Sequence, residues 1–397
     1  MKRLLIYTLV TALLLGALPA CALAATADSP IILGGSGDES CYSTLVLPNG
    51  NLILSMATSG GLNGEAEFDG YTLKTWLVCL APDGSIVWEN VFGSDKKNGY
   101  TTLHFLTLND DNTFYGTVRY EIDQRTQYRQ KLTFSCDNGS ILAEGEKVMD
   151  TAEEDNAYRE YFSAGGLTVT AETLSGETGQ RSRSLTLTDA RSNVLWQLDA
   201  NAIGLNHIDN WVRTSQGCLM YGRYHDSASG DNDVVALLVD DTGNIVWSYR
   251  AAGISDGDLS DGIVDSRGRF VAVGFCRDSV TSSDTATGFR QLVLCLDAAT
   301  GTELWQKATE LTDYSLPHSY VAELDGQYIL CGSGDNYNSS IFQSLDQDGN
   351  ALQYWTVSIP ECSMLSPKYI QWNGELWTRT MIDDGDSDVA LQRVVIP

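Results

Sequence analysis

A hairpin recurs along this chain about every 53 residues, always with the same internal spacing. A turn glycine is followed four residues later by tryptophan: Gly84 and Trp88, Gly243 and Trp247, Gly301 and Trp305. Ser192 and Trp196 keep the spacing with serine at the turn. Two copies are degenerate. Ala143 stands four residues after Gly139, and Gln353 four after Gly349, with the aromatics displaced to Tyr354 and Trp355. Periods of this length belong to propellers and solenoids. Helical periodicity is absent, and short β-branched and aromatic runs alternate with Gly, Asp and Asn turns, the pattern of strands and hairpins.

A second hairpin precedes each of these, turning at Gly50, Gly268 and Gly326 in its clearest copies. Each repeat is therefore four antiparallel strands. Several strands, such as 234–239, are apolar on both faces. A sheet packed between two neighbours needs no polar face, and radially stacked blades supply that packing. Trp88, Trp196, Trp247, Trp305 and Trp355 are then structural wedges between blades. The chain after residue 24 has room for seven repeats. The expected fold is all-β, a seven-bladed propeller. Its blades lie at about 36–93, 94–149, 154–201, 203–252, 253–309, 312–360 and 361–397. The last lacks an outer strand, and 29–35 resembles the missing piece. Pairing the two would close the ring and hide sheet edges that otherwise invite aggregation.

Residues 1–24 read as an export signal: Lys2 and Arg3, an apolar run from Leu4 to Leu18, then Ala22-Leu23-Ala24 as a small-x-small cleavage site. The rest, 25–397, reads as one domain. A second maturation stands beside simple secretion, because the residues up to Cys21 resemble a lipobox and would lipidate that cysteine. The expected location is outside the cell or at its surface. Formal net charge is −27, with no Lys/Arg cluster, so the chain repels phosphate backbones and nucleic acid is excluded as a partner. Most of the nine cysteines fall in apolar strands, where they read as small hydrophobes. Cys41 and Cys362 are the one specific disulfide candidate.

The segment from Leu296 to Trp305, with its Asp297, Thr300, Gly301 and Trp305, resembles the repeat of the PQQ-like propellers, the quinoprotein-alcohol-dehydrogenase-like group. That resemblance covers nearly the whole mature chain and implies the fold. Members include quinone enzymes and non-catalytic scaffolds. The enzymes carry adjacent cysteines over the cofactor, and this chain has none, so no cofactor is expected. The alternating acids Asp384, Asp386 and Asp388 lack the Gly and Glu of a calcium loop. The run Asp256, Asp258 and Asp261 is no closer to one, and no metal is assigned.

No catalytic motif appears. The binding residues expected on fold grounds are those entering each first strand, where propeller loops converge on the central channel: Asp38, Tyr42, Tyr100, Tyr158, Arg159, His207, Asp209, Asp261, His318, Lys368 and Tyr369. Mixed aromatic and charged groups suit a protein or glycan partner. The expected role is a non-enzymatic, monomeric binding scaffold. The rival is a glycan hydrolase or lyase using channel acids, which would show two carboxylates about 5–10 Å apart.

Overall fold

The computed structural model describes residues 30–396, apart from 36, 61–71, 94–98, 110–111, 124–125, 150–156, 165–166, 176–180, 190–192, 226–231, 253, 278–288, 311–318, 334–338, 359–367 and 384–386. Cys362 and His318 lie outside the described residues. Among those described, 28 strands form seven four-stranded antiparallel sheets. Six sheets are contiguous in sequence, at 39–92, 100–149, 157–199, 207–250, 255–310 and 320–358, and are called blades 1 to 6. Blade 7 takes three strands from 368–393 and its outer strand from Ile31–Leu33. The sheets form a ring, a seven-bladed β-propeller closed by the chain's own beginning. No described helix is long and apolar enough to cross a membrane.

Closure is specific in register. Ile31 pairs with Leu391 and Leu33 with Val389. Leu33 is buried in an apolar cluster shared by blades 7 and 1, with Leu52, Leu54, Trp372 and Leu391. The Trp372 indole donates to the Gly50 carbonyl at 2.6 Å, joining blade 7 to the first turn of blade 1. Asp38 and Glu39 reinforce the joint. The Asp38 carboxylate accepts the Ser387 amide at 3.0 Å. Buried Glu39 accepts Thr58 Oγ1 at 2.7 Å and the Gly35 amide at 3.0 Å.

Between blades the recurring contact is tryptophan on a turn. Trp88 donates its indole N–H to the Cys136 carbonyl, Trp247 to Ala298 and Trp305 to Gln347, each time in the next blade's turn. The turn glycine lies flat against that ring. A Cβ on Gly301 would fall 2.6 Å from Trp247, and one on Gly349 2.8 Å from Trp305. Both glycines also have positive φ, which a side chain would strain. Two physical demands thus meet on one residue. Trp355 is fully buried and stacks on Phe342 between blades 6 and 7. Cys79, Cys136, Cys218, Cys276, Cys295 and Cys331 are free, buried thiols.

Trp247→Ala should destabilise the protein by about 3–5 kcal/mol, the range for removing a packed aromatic. Equilibrium denaturation checks it, and a change below about 1 kcal/mol would mean that this indole is not a filler of the gap.

Candidate functional site

The first strand of each sheet lies at one edge of it and contacts the first strands of its neighbours, so these strands line the channel. Several carry a bulge opposite a glycine of the second strand. In blade 4, Ile208 pairs with Gly222 and Asn210 with Tyr221, which leaves Asp209 unpaired in the ladder. A Cβ on Gly222 would sit 2.2 Å from the His207 carbonyl. Only glycine lets the bulged backbone lie that close. The bulge re-aims the extra residue. Ser260 arises the same way in blade 5, and Phe105 with Leu106 in blade 2, whereas Tyr42 of blade 1 bulges opposite Met56 and Ser55.

On one arc the bulges build a charged relay across three blades. Arg183 of blade 3 donates to the Asn206 carbonyl at 2.6 Å and approaches His207 Nδ1 at 3.2 Å. With an arginine donor on Nδ1, the neutral ring carries its proton on Nε2. That nitrogen lies 3.3 Å from Asp209 Oδ1. Asp209 in turn shares a hydrogen bond with Asp258 of blade 5, and Arg223 is ion-paired to Asp258. Burial, then the hydrogen bond and charge of Asp209, push Asp258 up to about 8. Near neutrality Asp258 therefore stays largely protonated, with Arg223 against it.

Asp261 continues the relay. It accepts the Val321 amide of blade 6 at 3.0 Å, and burial pushes its carboxyl up to about 7 against the pull of that amide and of Lys368. On the other arc Tyr42 is 41% exposed and meets His104 edge-on, with ring centroids 4.7 Å apart. Burial, helped by Arg119 and Arg129, lowers His104 to about 4, so the imidazole is neutral. Burial raises the Tyr42 phenol, with Tyr100 close enough to add to the shift.

The structure thus gathers Tyr42 and Tyr100 on one arc, and His207, Asp209, Asp261 and Lys368 on the other. Asp38, exposed at the head of blade 1's first strand, is also used in closure. One residue expected at the rim is buried instead. Tyr369 is buried against Tyr320 and Phe342, its hydroxyl donating to Gly332, because the pleat sends Lys368 outward and its neighbour inward. Tyr158 and Arg159 lie in the first strand of blade 3, and their side chains are outside the described residues. Asp258, Arg183, Arg223 and His104 were not foreseen as site residues. The acids at 256–261 diverge: Asp256 accepts Asn232, Asp258 meets Arg223, and Asp261 meets Val321. Among the described residues no three His, Cys, Asp or Glu side chains converge on a metal position.

No family model matches the chain, and no curated protein matches it in sequence. Solved structures do match. Raptor from Chaetomium thermophilum superposes with a TM-score of 0.50 at 10% identity, covering 94% of this chain and 29% of Raptor. An acylaminoacyl peptidase in complex with Z-Gly-Gly-Phe-chloromethyl ketone gives 0.51 at 8% identity, covering 89% of this chain and 51% of the peptidase. The WD40 domain of SCAP from fission yeast gives 0.43 at 10% identity, covering 92% and 97%. The likeness is one of fold. The chain spans less than a third of Raptor and about half of the peptidase.

Glu39 is held up to about 7 by burial, beside Asp388, so three carboxyls bind protons in the folded chain that the unfolded chain has released. Stability should therefore fall as pH rises from 6.5 to 8. The low His104 value adds nothing above its ordinary 6.5. Differential scanning fluorimetry should show Tm falling by several degrees across that window. Asp258→Asn should flatten part of the slope; a level or rising wild-type Tm would contradict the assigned protonation.

Proposed function

We propose that this chain is an exported, non-enzymatic propeller of the PQQ-like kind, without a quinone site, that binds a protein or glycan through its inner-strand rim. The observation that carries the reading is the state of the rim acids. Asp209 and Asp258 are in hydrogen-bond contact and tied to Arg223. Glycoside hydrolysis needs about 5–5.5 Å between its carboxyls for retention, or more for inversion, to leave room for the sugar or water. A touching pair holds blades together and presents a fixed surface instead.

Binding has its own support on the other arc. The half-exposed Tyr42 ring, held edge-on by a neutral His104, offers a rigid amphipathic contact at small entropic loss. The residues from Lys2 to Ala24 support export, with Cys21 as the lipid-bearing residue if the lipobox is used. The net charge of −27 argues against polyanionic partners for the surface as a whole.

The test is a glycan and surface-protein binding screen of the chain from Ala25, run beside a hydrolase panel. Tyr42→Ala should weaken the best ligand by about tenfold or more, as loss of an aromatic anchor does. Turnover by the wild type that disappears in Asp258→Asn would replace the binding reading with the hydrolase one.

A further inference from the structure

Six of the seven blade-to-blade gaps are filled by apolar clusters, which join blades 1 and 2, 3 and 4, 4 and 5, 5 and 6, 6 and 7, and 7 and 1. Among the described residues no such cluster joins blades 2 and 3. The reason is in the pleat. In blade 3, Val169, Ala171, Leu185 and Leu187 turn toward blade 4. The opposite face carries cross-strand pairs of small polar residues: Thr168 with Thr188, Thr170 with Thr186, and Glu172 with Ser184. Blade 2 turns Phe114, Val118, Leu132 and Phe134 toward blade 1. Its other face pairs Tyr115 with Thr133, Thr117 with Lys131, and Arg119 with Arg129.

These facing positions are not closed off. All six blade 3 residues and Thr117, Arg129, Lys131 and Thr133 are partly exposed, and Arg119 is exposed. Matching positions in the middle strands of blade 1, such as Leu54 and Val78, are fully buried. Sheets packed face to face stand about 10 Å apart when large side chains fill the space. Threonine and serine fill much less of it. The filler tryptophan is missing too, because Ala143 takes its register position opposite Thr133. The outer strand of blade 2, Ile141–Met149, is exposed along its whole length. The result is a solvent-reached slot. The Tyr115 phenol lies beside Thr168 of blade 3, and the Lys131 ammonium sits 3.8 Å over the Tyr115 ring.

We propose that this slot between blades 2 and 3 binds an acidic saccharide chain, its carboxylates met by Lys131, Arg129 and Arg119 and its hydroxyls by the threonine rows. The described walls offer hydroxyl donors and acceptors at regular spacing, with polar rather than apolar pairs facing the slot, which disfavours a peptide. Three cations stand together on one wall of a chain that carries −27 overall. Glu172 and Asp189, close by, keep the site too weakly positive for a densely charged polyphosphate. Burial lowers the Lys131 ammonium to about 8, and it remains the charged form at neutral pH. The slot borders the Tyr42 rim through Arg119 and Arg129, whose charges lower His104, so Lys131 and Thr186 are the slot's own probes.

Calorimetry with the chain from Ala25 tests it, using galacturonate oligomers against maltooligosaccharides of equal length. The acidic oligomer should bind and the neutral one should bind at least tenfold more weakly. Lys131→Gln should cost tenfold or more in Kd, and more than Tyr42→Ala does. Thr186→Leu, which fills the slot and keeps the cations, should abolish binding while holding or raising Tm. Equal binding of both oligomers, no binding of either, or an unchanged Kd in folded Thr186→Leu would overturn the proposal.

Discussion

The fold depends on one contact repeated around the ring, an indole of one blade lying on the turn of the next. A four-stranded sheet with two apolar faces has no stable existence alone. It must be covered on both sides, and the blades cover one another. Trp88, Trp247 and Trp305 add a direction to that packing, because the indole N–H ends on a turn carbonyl while the ring lies on the turn glycine. A slip of one residue would put the glycine elsewhere and leave the indole donor buried without an acceptor. The contact thus sets the register of neighbouring blades as well as filling space.

Where the contact fails, the molecule differs from its own average. Blade 7 has no tryptophan at the outer position, and Ile31 of the closing strand lies against Gly84 instead. Trp372, on the innermost strand, supplies the indole-to-turn bond at this joint. Blade 2 has Ala143 and no substitute, and its interface with blade 3 is polar. Among the described residues six joints hold an apolar cluster and the seam between blades 2 and 3 holds none, and low apolar burial favours local opening there.

The inner rim rests on a second device. A glycine in the second strand allows the first strand to bulge, and the bulged residue leaves the ladder and enters the channel. Asp209 owes its position to this, and Tyr42 leaves its ladder at a bulge opposite Met56 and Ser55. The relay from Arg183 to Arg223 then bridges three blades through polar contacts, in a protein whose other joints are mostly apolar. Asp258 holds its proton near neutrality because burial and the neighbouring Asp209 oppose ionisation more than Arg223 favours it.

Much of the architecture was legible in the residues themselves. Gly84 and Trp88, with their later copies, gave the period and the four-stranded unit, and the missing last strand pointed to 29–35. These readings work because turns, pleat alternation and period are local properties of the chain. Strict alternation in 167–172 and 184–188 was equally visible and marks the polar face of blade 3, though its meaning depends on which blade it meets. The meeting of Asp209 with Asp258, the inward turn of Tyr369, the use of Asp38 in closure and the open slot opposite Lys131 were decided only by the tertiary structure. Each joins residues from different blades, and such distances are set by ring curvature and by bulges that shift side chains from one face to the other.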